Sequence, residues 1–386
     1  MKGKRISVFL SAVMLMLSSC SVFDNKANTK QAENVELSSV NNAYDGIDEL
    51  MGKDMGSVKL PDTITAQDLS ELYTFSAKMH HNEDSRTNKE FALKLYSDFF
   101  KESFEPEKCE FDSLGYFYMY YDDGKELARY ADGQMSLVRK DYEVNLEEEF
   151  GHFYRADSDE RISVGNSECS VKEIALAAKA FLDKELPAAF DGFVVEPQDV
   201  FIRRNGDKNV VNINCVQKLH GIPFEDYPSV FTQMSKDGSG NDTVTTYYAT
   251  DIRMGLDDKD SIAWVHIDKP VEITKKEKLE KMISLKDAVD ILHNELSEFT
   301  VFKFDEVRLM YCCKQTYINY DYSEMTMEQQ LEKSNELNEQ EHDFYPTWCF
   351  IADNELSGYS RWIVKLNAVT GEITIDAPDG VAGQKE

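Results

Sequence analysis

The chain has 386 residues, and its 71 acidic and 42 basic side chains give a formal net charge of −29. Such an acidic chain is a poor ligand for nucleic acid, because that binding depends on neutralising phosphates with lysine and arginine. The length predicts two or three domains, and a hydrophobic content of 42% is sufficient for sizeable cores.

The N-terminal segment has the layout of an export signal. Three basic residues among the first five precede an apolar run from Ile6 to Leu17, and small residues lead to Cys20. This order is typical of a cleaved signal peptide over residues 1–19. The run is too short for a transmembrane helix, which needs roughly 20 residues.

The end of this segment, Leu17-Ser18-Ser19-Cys20, resembles the lipobox of bacterial lipoproteins. The resemblance implies cleavage before Cys20 and attachment of lipid, including fatty acids such as palmitate, to that residue. Two or more acyl chains give stable membrane attachment. The expected location is therefore the extracytoplasmic face of the cell membrane, with membrane lipid as the partner of Cys20.

The mature chain is more acidic still, because residues 1–19 contain three basic and no acidic residues, and their removal leaves a net charge of −32. A charge of this size disfavours contact of the chain body with an anionic membrane and favours solubility. Ser21–Tyr44 is rich in Asn, Ser, Lys and Glu. Residues 20–58 are therefore predicted to be the lipidated cysteine and a flexible tether.

Residues 59–160 are predicted to form two helices and then a β-meander. Thr65–His81 and Asn88–Phe104 carry large apolar residues at helical spacing. After these segments, Asp-Gly pairs at Asp123-Gly124 and Asp132-Gly133 separate short apolar runs, which is a strong hairpin signal.

Residues 161–276 and 277–386 are predicted to be two similar α+β domains. Each opens with a capping box, Ser170 with Glu173 and Ser284 with Asp287, and continues into strand-like runs. The predicted fold class is therefore α+β, with helix-on-antiparallel-sheet domains of which the middle and C-terminal ones form a tandem repeat. Chance agreement of ordinary capping signals is the alternative.

The C-terminal part is similar to PepSY-type domains. Its closing segment is a strand, Trp362–Asn367, followed by Ala368-Val369-Thr370-Gly371-Glu372-Ile373, in which Thr370-Gly371 makes a tight turn. This resemblance covers about 100 residues and implies a small domain that binds or restrains another protein, without catalytic residues. The charged insertion Met325–Asp343 departs from the compact pattern of that family.

Other candidate sites are weaker. His80-His81 lacks the spacing of a zinc site and is predicted to end a helix, and Asp237–Asp242 has Tyr248 where a calcium loop needs glutamate. Six cysteines besides Cys20 contain no CxxC pair, so most are predicted to be small buried hydrophobes. The alternative is one disulfide, from Cys312 or Cys313 to Cys349, since export permits disulfides.

Three functions are compatible with these sequence features. The first is a non-enzymatic, membrane-anchored lipoprotein that binds or regulates another cell-envelope protein, with no cofactor and no metal. The second is a lipoprotein that binds a solute in a cleft between lobes. The third is an envelope hydrolase, for which no nucleophile motif such as GxSxG is present.

Overall fold

Backbone pairing between strands organises most of the chain. The computed structural model describes residues 29–32, 35–79, 96–97, 99–101, 108–111, 117–120, 126–131, 134–142, 152–185, 194–205, 208–225, 232–236, 241–248, 251–268, 271–296, 302–318, 325–326, 329, 332–333, 336, 340–353 and 361–376.

The strands, in chain order, are β1 Thr29–Gln31, β2 Ser38–Ser39, β3 Val58–Lys59, β4 Tyr73–Met79, β5 Lys108–Phe111, β6 Phe117–Tyr120, β7 Glu126–Ala131, β8 Gln134–Val138, β9 Phe153–Arg155, β10 Arg161–Val164, β11 Ser167–Ser170, β12 Val194–Asn205, β13 Lys208–Leu219, β14 Ile222–Pro223, β15 Thr232–Lys236, β16 Asp242–Tyr248, β17 Asp251–Asp258, β18 Ser261–Asp268, β19 Val271–Lys278, β20 Lys281–Met282, β21 Phe302–Lys303, β22 Glu306–Ile318, β23 His342–Asp353, β24 Arg361–Asn367 and β25 Glu372–Asp376. The helices with assigned bounds are a 3₁₀ helix, Val40–Asn42, and three α-helices, α1 Ile47–Leu50, α2 Val171–Glu185 and α3 Leu285–Leu296.

Two large sheets contain most of these strands. A ten-stranded sheet has the order β5-β6-β7-β8-β18-β17-β13-β12-β9, with β14 paired to β13. A nine-stranded sheet has the order β1-β25-β24-β23-β22-β16-β15, and β4 joins it by pairing with β23 and β19. All pairings inside these two sheets are antiparallel.

The predicted α+β class with helix-on-sheet repeats is wrong, because the molecule is mostly β-sheet, with antiparallel sheets and a half-barrel. The reason lies in long-range pairing. Strands β15 and β16, which belong to the middle segment in sequence, join the C-terminal strand β22. Strand β8 likewise extends the middle sheet through β18. Local capping and alternation do not encode these partners.

Two local predictions also fail. The helix expected over 65–81 is wrong, since Tyr73–Met79 is strand β4 and pairs with β19 and β23. The flexible tether expected through residue 58 is wrong from Thr29 onward. Strand β1 pairs with β25, and Val40 and Leu50 are buried in the core. Part of the second predicted helix lies inside the described residues, and Phe99 and Phe100 are helical and buried there.

The predicted capping box is complete at α2, and at α3 the N-cap half of it is present. The Ser170 hydroxyl accepts a hydrogen bond from the Glu173 backbone N–H at 3.1 Å, and the Glu173 carboxylate accepts the Ser170 N–H at 2.7 Å. At α3 the Ser284 hydroxyl accepts the Asp287 N–H at 3.1 Å. These contacts satisfy backbone donors that the first helical turn leaves unpaired.

Each long helix covers one face of one sheet. Apolar residues of α2 pack with Val211, Ile213 and Met254 of the ten-stranded sheet. Helix α3 and the segment from Val40 to Leu72 pack on one face of the nine-stranded sheet, around Trp348. The Trp348 indole N–H donates to the Ile283 carbonyl at 2.9 Å, which ties this core to the turn before α3. The opposite face of the nine-stranded sheet carries the candidate site.

Candidate functional site

Five strands of the nine-stranded sheet curl into a half-barrel. Strands β16 and β25 are four places apart in the sheet order, which is roughly 19 Å in a flat sheet. Yet the Tyr247 hydroxyl on β16 donates to Thr374 Oγ1 on β25 at 3.0 Å. Lys314 on β22 also reaches Glu372 on β25, with Nζ and Oε1 2.6 Å apart. These contacts require a strongly curved sheet. The face that lines the inside of the curve is the one opposite α3.

The interior of the half-barrel is filled by side chains. Its apolar cluster consists of Met310, Cys312, Cys349, Ile351 and Ile363, with Tyr247 packed against it. The Sγ atoms of Cys312 and Cys349 are 3.8 Å apart, and both thiols are free. A small barrel whose inside is packed in this way is a rigid support and not a pore.

A buried ion pair crosses this interior. Lys365 on β24 contacts the carboxylate of Glu225, and each side chain is only 1% exposed. The Lys365 ammonium also lies 3.9 Å from the centroid of the Tyr247 ring, where a cation is attracted to the ring face. Removing two charges from water is costly, so the pair persists only because both partners are held in place.

Glu225 reaches the half-barrel from the other sheet. It follows β14, which pairs with β13 of the ten-stranded sheet. Its backbone N–H donates to the Tyr311 carbonyl at 3.1 Å, and Phe224 forms a parallel bridge with Tyr311. The ion pair therefore fastens the ten-stranded sheet to the inside of the half-barrel.

A cleft opens at the mouth of the half-barrel, where β22 and β23 part. The two strands pair from Glu306 opposite Ile351 to Cys312 opposite Tyr345. Beyond that point β22 continues along β16, while β23 turns to β4. The resulting space has a volume of about 440 Å³, and its lining residues are Tyr247, Cys312, Lys314, Gln315, Thr316, Gln340, Glu341, His342, Asp343, Tyr345, Thr347, Asn367 and Glu372.

Most charges in this cleft are already engaged. Besides the Lys314–Glu372 pair, Glu341 contacts Lys275 at 3.2 Å. Asp343 accepts a hydrogen bond from the Ser76 hydroxyl at 2.7 Å. The remaining lining groups are largely amides and hydroxyls, which both donate and accept hydrogen bonds. The mouth is therefore suited to a polar, hydrogen-bonding ligand.

Burial favours the uncharged form of three titratable side chains in the mouth, a phenol, a thiol and an imidazole. It raises the pKa of the Tyr247 phenol, against the opposing effect of Lys365. It also raises the pKa of the Cys312 thiol well above its usual range, and the neighbouring Cys349 acts in the same direction. Burial lowers the pKa of His342, opposed by Asp343. A protonated thiol is a weak nucleophile, so Cys312 is poorly suited to covalent chemistry.

The residues singled out from the sequence have mixed outcomes. Cys20 and His80-His81 lie outside the described residues, as do Asp237–Gly240. The strands that flank Asp237–Asp242, β15 and β16, do form a hairpin, which Lys236 and Asp242 close with a 3.0 Å ion pair.

The cysteine prediction is confirmed where the structure describes it. The five cysteines whose side chains the structure describes are free and buried: Cys169, Cys215, Cys312, Cys313 and Cys349. Cys312 and Cys313 face opposite sides of β22, one toward the half-barrel interior and the other toward the α3 core. In the described part of the chain, no group of three or more His, Cys, Asp or Glu side chains is placed to hold a metal ion.

Sequence reasoning missed the ion pair and the mouth. The sequence does contain a signal for Lys365, since it is the one charged residue in the apolar run Trp362–Leu366. The sequence contains no such signal for Glu225, because its partner is 140 positions away and only the fold brings the two together. The mouth depends on where two strands separate, and no local pattern encodes that position.

Comparison with known proteins establishes a related fold. No family model and no curated protein matches the chain. The crystal structure of an uncharacterized protein from Eubacterium rectale ATCC 33656, at 1.45 Å resolution, is similar with a TM-score of 0.52 and 12% sequence identity. The match covers 86% of this chain and 97% of that one. Among the described residues, no helix is long and apolar enough to span a membrane.

Proposed function

We propose that this chain is an exported, lipid-anchored lipoprotein that binds another cell-envelope protein at the mouth of its half-barrel and catalyses no reaction. The observation that carries the binding role is the mouth itself. It is an open polar cleft of about 440 Å³ on a support that a buried ion pair holds rigid. Rigid presentation lowers the ordering cost of binding.

The anchor in this proposal is Cys20. The basic start, the apolar run and Leu17-Ser18-Ser19-Cys20 support it, since together they match the signal of an acylated cysteine. With two or more acyl chains the attachment is stable. The folded part would then stand on the extracytoplasmic face of the membrane.

The state of the lining groups supports binding over catalysis. Catalytic groups usually have pKa values tuned toward the working pH, whereas burial moves the pKa of Cys312 and Tyr247 away from it. The carboxylates Glu341 and Glu372 are paired with lysines. Such a lining offers recognition without an activated nucleophile.

Site-specific crosslinking tests the binding role. A photoreactive amino acid is placed at Thr316, an exposed residue of the mouth, and at Lys179, a partly exposed residue of α2, as the control. In intact cells we expect a discrete protein adduct at Thr316 and none at Lys179. Thr316→Trp, which fills the mouth, should abolish capture by a probe at Gln340, whereas Lys179→Trp should not. Equal capture at Thr316 and Lys179 would contradict the proposal.

A second candidate function is solute binding. The volume of the mouth falls inside the range of roughly 300–1,000 Å³ that small-molecule sites occupy. The cleft lies within one sheet, where two strands part, and not between two lobes. Native mass spectrometry of the freshly purified protein separates the two candidates. A retained small molecule that Thr316→Trp expels would favour the solute, and an empty protein would favour the protein partner.

A further inference from the structure

The strand that connects the folded protein to the anchor borders the binding mouth. Strand β1 pairs with β25 over three residues, and Gln31 lies directly opposite Glu372. Glu372 in turn lines the mouth and contacts Lys314 across it. The Ala32 N–H continues the contact by donating to the Gly371 carbonyl at 3.2 Å. The chain is therefore held at the rim of the mouth only 11 residues after Cys20.

Covalent geometry turns this spacing into a distance limit. A fully extended chain spans at most about 3.3–3.6 Å per residue, so the 11 residues from Cys20 to Gln31 reach roughly 36–40 Å. Directly opposed residues of paired strands add about 5 Å to reach Glu372. The limit holds while β1 stays paired, whatever conformation the intervening residues adopt.

We propose that the mouth works within about 45 Å of the bilayer and takes its partner there, as the extracytoplasmic segment of a membrane-embedded protein. This rests on the proposed lipid anchor at Cys20. A short anchor confines the mouth to a thin layer at the membrane surface. Confinement raises the effective concentration only toward partners that share the layer. A partner free in the envelope would gain little from it.

Charge favours a polypeptide over a lipid headgroup as the occupant. The mouth carries Glu341, Asp343 and Glu372 against Lys314 and the neighbouring Lys275, and the mature chain has a net charge of −32. Anionic headgroups are repelled by such a surface, since membrane contact of this kind depends on lysine and arginine. The amides and hydroxyls of the lining instead match the donors and acceptors of a polypeptide segment.

The test lifts the mouth away from the membrane without altering it. Eight EAAAK repeats inserted between Asn28 and Thr29 form a semi-rigid, largely helical spacer, which adds up to roughly 60 Å at 1.5 Å per residue. The lipidated full-length protein carries a fluorescent donor at Thr316 in phosphatidylcholine vesicles that contain a headgroup-labelled acceptor lipid. Energy transfer should be strong with the native spacing and should fall sharply with the spacer.

The same spacer is then combined in cells with the photoreactive residue at Thr316. We expect loss of a membrane-protein adduct that forms at native spacing, while a flexible insertion of two residues leaves it intact. An adduct that survives the spacer, or that forms equally with the released Cys20→Ser protein, would overturn the membrane-proximal partner. If the protein had no lipid anchor, the result would be a different one, because the unaltered protein would then not float with the vesicles at all.

Discussion

The buried pair between Lys365 and Glu225 makes a quantitative prediction about stability. Lys365→Met keeps the length and packing of the side chain but leaves the Glu225 carboxylate without its cation in a site where both residues are 1% exposed. Breaking a buried pair from one side costs about 3–5 kcal/mol. Solvent does not screen this site, so the full range applies. We expect Glu225→Gln to have a cost of similar size.

Replacement of both partners should remove most of that cost. Lys365→Met with Glu225→Leu leaves no unpaired charge, and exchange of a buried pair for apolar residues is often neutral, or stabilising by about 1–4 kcal/mol. The double variant should therefore lose far less stability than the two single variants together. The exposed pair between Lys179 and Asp183 is the control, and Lys179→Met should cost less than about 1 kcal/mol.

Urea unfolding measures these costs on the mature chain with Cys20→Ser, monitored by tryptophan fluorescence, to which the buried Trp348 contributes, and by circular dichroism. The midpoint is compared at unchanged m-value, so that a shift reports stability. If Lys365→Met shifted the midpoint no more than Lys179→Met, the ion pair would not hold the sheets together. If the double variant lost as much stability as the two single variants combined, Lys365 and Glu225 would not act as a pair.

Three further predictions concern single residues. Gly255→Ala should destabilise the ten-stranded sheet by about 1–3 kcal/mol in urea unfolding, because a Cβ at that position would lie 2.0 Å from the Trp264 indole nitrogen. Gly371→Ala should speed proteolysis around strand β1. Gly371 has a φ of +75°, and a Cβ added there would lie 2.6 Å from Val35 Cγ2. An unchanged cleavage rate would contradict this prediction. Burial lowers the pKa of His342 in the folded protein, so the unfolded chain binds this proton more readily. The stability present above about pH 6.5 should therefore fall as the pH drops below that value. Between pH 7.5 and 5.5, His342→Asn should lose less stability than the parent protein.

Local signals predicted the two long helices α2 and α3 and many of the strands, but not the short helices at Val40–Asn42 and Ile47–Leu50. Ser170 with Glu173 marks the start of α2, and the alternation of Trp362–Asn367 coincides with β24. Capping and alternation depend on neighbours a few residues away, so one sequence is enough to see them. The same local spacing misled at Tyr73–Met79, where alternation and helical periodicity overlap and pairing with β19 decides the outcome.

Local signals could not predict which of the two large sheets each strand joins. The run Thr243–Arg253 reads as one strand, yet its first part belongs to β16 in the nine-stranded sheet and its last part to β17 in the ten-stranded one. The curl that brings Tyr247 to Thr374 follows from such partner choices. The candidate site is built on that curl and on Glu225, so the sequence could predict the proposed anchor but not the mouth.

Incorporation of a fatty acid at Cys20 tests whether the protein is a lipid-anchored lipoprotein. Cells that express the protein are grown with an alkyne-bearing palmitate analogue, and the purified protein is examined by fluorescence after click labelling and by mass spectrometry of its N-terminal peptide. We expect label in the membrane fraction, an acylated N-terminus at Cys20 and loss of both in Cys20→Ala. An unlabelled protein with residues 1–19 still attached, or label that persists in Cys20→Ala, would contradict it.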